Sequence, residues 1–175
     1  MKKRVIFCAI VICSLALVLS WADADDGNKR LVGSYMFKFT GVEAAFGAGH
    51  YVPGFATLHS DGTLSSVTGS DQAGPITLFN VKNSGVYGAW FRTGHSSVEA
   101  HALYMNFSPV DGQVVGITKL RILANFDKGF NNGSGQFFNS IYVCPTFTTC
   151  PDPMTATPTV PEPAQGLPMT FTRIQ

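Results

Sequence analysis

Charge is what this sequence has least of. Twelve Lys and Arg and eleven Asp and Glu make up 13% of its 175 residues, and after the first few positions no segment gathers cations into a stripe. That excludes the phosphate-tracking surface of a nucleic-acid binder. Cysteine is scarce too. Of four, Cys8 and Cys13 sit in an N-terminal apolar run, which leaves Cys144 and Cys150 in "CPTFTTC". Their spacing is not C-x-x-C and Pro follows each, so a redox motif is not indicated, and two thiols are too few for a zinc ribbon. No H-E-x-x-H or G-x-S-x-G is present, "NGSG" around Ser134 reads as a turn, and "GAGHYVPG" is not a dinucleotide fingerprint. No cofactor is therefore expected. No long 3.6-residue apolar stripe runs through the chain after its first two dozen residues, which excludes a helical bundle.

What is present begins with a leader. Lys2, Lys3 and Arg4 precede "VIFCAIVICSLALVL", and "ADA" at 22–24 supplies small residues for cleavage. This pattern predicts a secretory signal peptide over residues 1–24 and a mature chain over 25–175, secreted or periplasmic in a bacterium. Loss of Lys2, Lys3, Arg4 and Asp23 moves the formal charge from +1 to −1. No later segment is apolar enough to span a bilayer as a helix. In an exported chain Cys144 and Cys150 are expected to form a disulfide, closing a small loop and contributing ~2–3 kcal/mol.

The mature part alternates apolar and polar residues between glycine-containing turns, the mark of many short strands. "LVGSYMFKFT" places Tyr35, Phe37 and Phe39 on one side, and Asp61-Gly62 tips a hairpin in "GFATLHSDGTLSSVTG". "GVYGAWFRTG", "SVEAHALYMNF", "VVGITKLRILANF", "GQFFNSIYVC" and "PMTFTRI" follow as strands, with "PITLFNVK" a weaker candidate. Eight or nine strands with tight links predict an antiparallel up-and-down β-barrel, with a two-sheet sandwich as the alternative. Two connections are long. The apolar loop at 41–54 carries Phe46 and Tyr51, and the Pro-rich stretch at 144–168 reads as an extended excursion pinned by the disulfide.

The strand at Ser97–Phe107 has two faces, one with Val98, Ala100, Ala102, Tyr104 and Asn106, the other with Glu99, His101, Leu103, Met105 and Phe107. Burial favours the larger side chains, so the second face is expected inside, with Glu99 and His101 at the mouth of a cavity. Whether that mouth shares an end with the 41–54 loop depends on whether "PITLFNVK" is a barrel strand. Trp90 is a further ligand-stacking candidate. Of the two faces of its strand, the one with Tyr87, Ala89 and Phe91 looks the more uniformly buried. Arg92 is expected to pair with Glu99 in a structural role. His50, His95, Glu99 and His101 are the scattered metal-ligand candidates, without ligand spacing, so no metal is expected. "NFS" at Asn106 and "NGS" at Asn132 match a glycosylation pattern that carries no weight in a bacterial chain.

The opening "GSY", Gly33 to Tyr35, resembles the lipocalin G-x-W signature with Tyr in place of Trp. A long loop follows the first strand, and Arg173 resembles the late basic residue that packs over the opening aromatic in that family. "PGFATLHSDGT" and "GAWFRTG" are also similar to uncharacterised bacterial exported proteins with lipocalin-like barrels. The resemblance implies a barrel that binds a small apolar or amphipathic molecule, with Tyr35 against Arg173. The expected site is then Glu99, His101, Leu103, Met105, Phe107, Trp90, Phe46 and Tyr51. Two alternatives stand beside it: an isomerase- or cyclase-type barrel enzyme using His101 and Glu99, and a barrel packed solid that serves a structural or interaction role.

Overall fold

Among the described residues, the period-two alternation of apolar side chains is realised as nine strands. They are β1 (Gly33–Phe39), β2 (Val52–Leu58), β3 (Thr63–Thr68), β4 (Lys82–Asn83), β5 (Val86–Arg92), β6 (Ser97–Phe107), β7 (Val114–Phe126), β8 (Asn132–Val143) and β9 (Leu167–Arg173). The computed structural model describes residues 29–40, 52–68, 82–146 and 148–175. Expectations for the leader at 1–24, for Phe46 and Tyr51, for His50 and for most of "PITLFNVK" lie outside them.

Eight strands close an antiparallel barrel in the circuit β1–β2–β3–β5–β6–β7–β8–β9 and back to β1. Closure removes the exposed edges that an open sheet of this size would carry. β4 stands outside the circuit, paired with the far end of β6 through Lys82↔Phe107 and Asn83↔Asn106. Because β3 pairs directly with β5, no barrel strand falls between them among the described residues. The β5–β6 turn therefore lies at the end where β1 begins, here called the lower end, opposite the end that residues 41–51 connect.

Side chains of opposite size face one another inside. β1 contributes buried Tyr35, Phe37 and Phe39, β9 Met169 and Phe171, and β7 Phe126, while β6 contributes Ala100 and Ala102 and β2 contributes Ala56. Gly54 sits directly across from Phe37, and a Cβ there would stand 2.2 Å from its Cζ. Gly133 similarly yields to the ring of Phe126. Six rings then touch in sequence, Tyr35–Phe126–Phe171–Phe37–Phe39–Phe137, with centroids 4.8–6.4 Å apart in tilted or edge-to-face pairs. Such geometry suits the ring quadrupoles. An aromatic interior is the inverse of a membrane barrel, whose lumen is polar.

The lower end is plugged. Leu31 and Phe130 are completely buried there. Tyr35 donates from its hydroxyl to the Leu31 carbonyl at 2.8 Å, and Arg173 stands over the Tyr35 ring at 5.6 Å. Arg173 also donates to the carbonyls of Arg30 and Val32, both at 2.6 Å, so it ties the last strand to the segment before the first. The expected Tyr35–Arg173 contact is present. Burial pushes the Tyr35 phenol pKa up, with Arg173 opposing. Phe130 holds φ at 58°, unusual for a non-glycine residue, in the β7–β8 turn. Asp127 secures that turn by accepting from the backbone of Asn131 at 2.9 Å and of Asn132 at 3.2 Å. These backbone donors hold its carboxyl below the usual carboxylate range.

The Pro-rich excursion is anchored rather than loose. Cys144 and Cys150 are joined, with S–S at 2.05 Å. Further along, Val160 exchanges both backbone hydrogen bonds with Ile141, beyond the point where β9 stops pairing with β8. The excursion thus covers the edge that the shorter β9 leaves open.

Candidate functional site

Parity along β6 is opposite to the sequence expectation. Val98, Ala100, Ala102 and Asn106 are buried in the interior, whereas Glu99, His101, Leu103, Met105 and Phe107 occupy the outer face, with Met105 45% exposed. The physical reason is volume. The rings of β1, β7, β8 and β9 share one core with Ala100 and Ala102, which leaves room for small side chains at those positions of β6, while Tyr104 fills its upper part. The cavity lining expected from Leu103, Met105 and Phe107 is thereby overturned, and so is the placement of Glu99 and His101 at its mouth. Tyr104 and Asn106 point inward instead. Asn106 donates its amide to Thr118 at 2.9 Å in the interior, so its place in "NFS" is not a surface acceptor.

β5 is inverted in the same way. Trp90 is buried and donates from its indole N–H to the His59 carbonyl at 3.0 Å. Tyr87 and Phe91, expected to be the more buried set, are 70% and 48% exposed. Arg92 lies on the opposite face from Glu99 and spends its donors on the carbonyls of Gly94 and His95 at the lower rim, at 2.6 and 2.5 Å. His95 is on that rim, away from the Glu99–His101 pair in contact terms: its ring meets Arg92 at 3.4 Å.

The pair itself forms on the outer face, partly buried. His101 Nε2 lies 2.9 Å from Glu99 Oε1, and the two side chains are 42% and 24% exposed. Phe91 stacks on the imidazole, with planes 8° apart and centroids at 5.8 Å. Directly across from His101 on β7 is Arg121, which is in turn across from Phe138 on β8. Arg121 lies over the Phe138 ring at 4.3 Å and forms a two-pronged ion pair with Glu162 of the excursion. Hydrogen bonding to Glu162 raises the Arg121 pKa. Sequence reasoning missed Arg121, Phe138 and Glu162. No local signal ties a strand residue to a partner 41 positions away.

Below Phe91 the surface drops into an open depression of about 620 Å³. Its walls are Ser60 and Gly62 from the β2–β3 turn, Trp90, Phe91 and Arg92 at the end of β5, and Thr93 and Gly94 from the next turn. Among the described residues no group of three or more His, Cys, Asp or Glu side chains gathers as a metal set, and no helix is long and apolar enough to cross a membrane.

Comparison with known proteins places nothing beside this chain: no family model, no curated protein and no solved structure matches it.

Proposed function

We propose that this is an exported binding protein whose barrel is a side-chain-filled scaffold and whose partner engages the outer surface. The observation that carries this reading is the unbroken chain of six aromatic rings inside, packed in one core with Leu58, Leu64, Trp90 and the alanines of β2 and β6. A carrier needs an unfilled interior, whereas an eight-stranded barrel is just wide enough to be filled by its own side chains. The disulfide supports export, since such bonds persist in oxidising compartments. The Arg173–Tyr35 contact supports a lipocalin-like closed end. Ligand carriage in the lumen is the competing view. Native mass spectrometry of protein purified from its own host separates the two. The expected mass is the mature polypeptide less two hydrogens. An apolar molecule retained one per chain overturns the proposal.

A further inference from the structure

We propose that the outer face of β5, with the depression beneath it, is a binding platform for a neutral oligosaccharide; this rests on the reading that partners engage the outside of the barrel. Tyr87 and Phe91 project from one face of one strand, four residues and about 13 Å apart. Ala89 lies between them and keeps the floor low. Two exposed rings on one face of one strand form a contiguous surface of the kind that marks a contact site.

Around Ala89 and Phe91 the flanks are polar, while Leu103 stands opposite Tyr87 at the upper end. On one side Ser65 stands opposite Tyr87, and Thr63 opposite Ala89. On the other, His101 stands opposite Ala89, and Glu99 opposite Phe91. A pyranose ring has the matching character, with an apolar C–H face that lies on an aromatic ring and a rim of hydroxyls that both donate and accept. Stacking against His101 holds Phe91 in a fixed orientation, so little side-chain freedom is lost when a sugar settles on it. At the lower end, the depression adds the hydroxyls of Ser60 and Thr93 beside Phe91.

Charge decides for a neutral ligand. Glu99 is paired with His101, Arg121 with Glu162, and Asp61 with the backbone and hydroxyl of Thr63, while Arg92 is bound to backbone carbonyls. The formal charges around the platform balance, Asp61, Glu99 and Glu162 against Arg92, Lys119 and Arg121, so a polyanion or polycation would gain little by docking here.

Isothermal titration of the disulfide-intact protein with neutral gluco-, manno- and N-acetylglucosamine oligosaccharides, and with an anionic oligouronate, tests this. Binding of at least one neutral oligosaccharide is expected, with little or none of the uronate. Phe91→Ala and Tyr87→Ala should each weaken it by about tenfold, with unchanged circular dichroism and melting temperature. Leu167→Ala, an exposed control on β9, should leave it unaltered. The inference is overturned if no neutral oligosaccharide binds, if only the uronate binds, or if the Phe91→Ala, Tyr87→Ala double variant binds as well as the parent. Capture of a protein through these rings with no sugar binding also overturns it. A failure here with an empty barrel by mass spectrometry leaves the solid-scaffold reading standing. A small molecule retained in the lumen removes that reading instead.

Discussion

At the scale of single residues, the molecule turns on which side of a strand each side chain takes. Ala102 is buried against a filled interior, so Ala102→Leu should destabilise by about 1–3 kcal/mol through overpacking. Met105, exposed on the other face, should tolerate Ala within ~0.5 kcal/mol. Denaturant unfolding of the two variants checks this, and the opposite ranking would restore the inward register for Leu103 and Met105. His101→Ala should cost no more than ~1 kcal/mol, because its hydrogen bond with Glu99 is partly exposed to solvent. The alternation of β6 was legible from residues 97–107, but its sense was not. Size alone says that Leu, Met and Phe go in, and that rule fails when another wall of the barrel has already supplied the bulk.

Among the elements, the β7–β8 turn is one that acid should loosen. The Asp127 carboxylate accepts backbone N–H groups of Asn131 and Asn132, which depresses its pKa in the folded state. In the unfolded chain the group titrates near ~3.9. Its contribution is complete above that value and is lost as pH falls through the lower folded pKa, because protonation removes the charge that the donors stabilise. Asp127→Ala should therefore flatten the acid limb of a melting-temperature profile while lowering the plateau at neutral pH; an acid limb identical to the parent's would show that this carboxylate is not the sensor. The excursion after β8 is the other such element. Its disulfide closes only the first turn, with a sequence separation of six, and contributes ~2–3 kcal/mol on chain-entropy grounds. Thiol titration of an unfolded chain spanning residues 25–175 should find no free sulfhydryl before reduction and two after it. The remainder is held by Val160 on the β8 edge and by Glu162 on Arg121.

For the whole molecule, closure and filling are one property. Arg173 links the last strand to the carbonyls of Arg30 and Val32, so the two ends of the barrel sheet are joined at the plug. Arg173→Ala should cost about 1.5–3 kcal/mol, the range for hydrogen bonds to a charged donor, read from denaturant unfolding. Phe37→Ala should cost about 3–5 kcal/mol and leave a dry cavity. Benzene should then raise the melting temperature of Phe37→Ala but not of the parent, as an apolar void accepts an apolar guest. A parent protein that benzene stabilises equally would mean the interior was open from the start.

The amino-acid sequence by itself determined the strands, most of their turns, the barrel class, the disulfide and the Tyr35–Arg173 contact. The strands, turns and barrel class follow from local alternation and turn chemistry, the disulfide from a close pair of cysteines, and the Tyr35–Arg173 contact from the resemblance of "GSY" and Arg173 to the lipocalin pattern. Only the tertiary structure decided which faces of β5 and β6 look inward, that β3 pairs with β5 so that the β5–β6 turn falls at the lower end, and that Arg121 meets Glu162. These depend on how volume is shared across the lumen and on which strands are neighbours after closure. Period-two alternation is unchanged when every side chain moves to the other face, so inside and outside were settled by the rings of Phe37, Phe126 and Phe171 rather than by β6 itself.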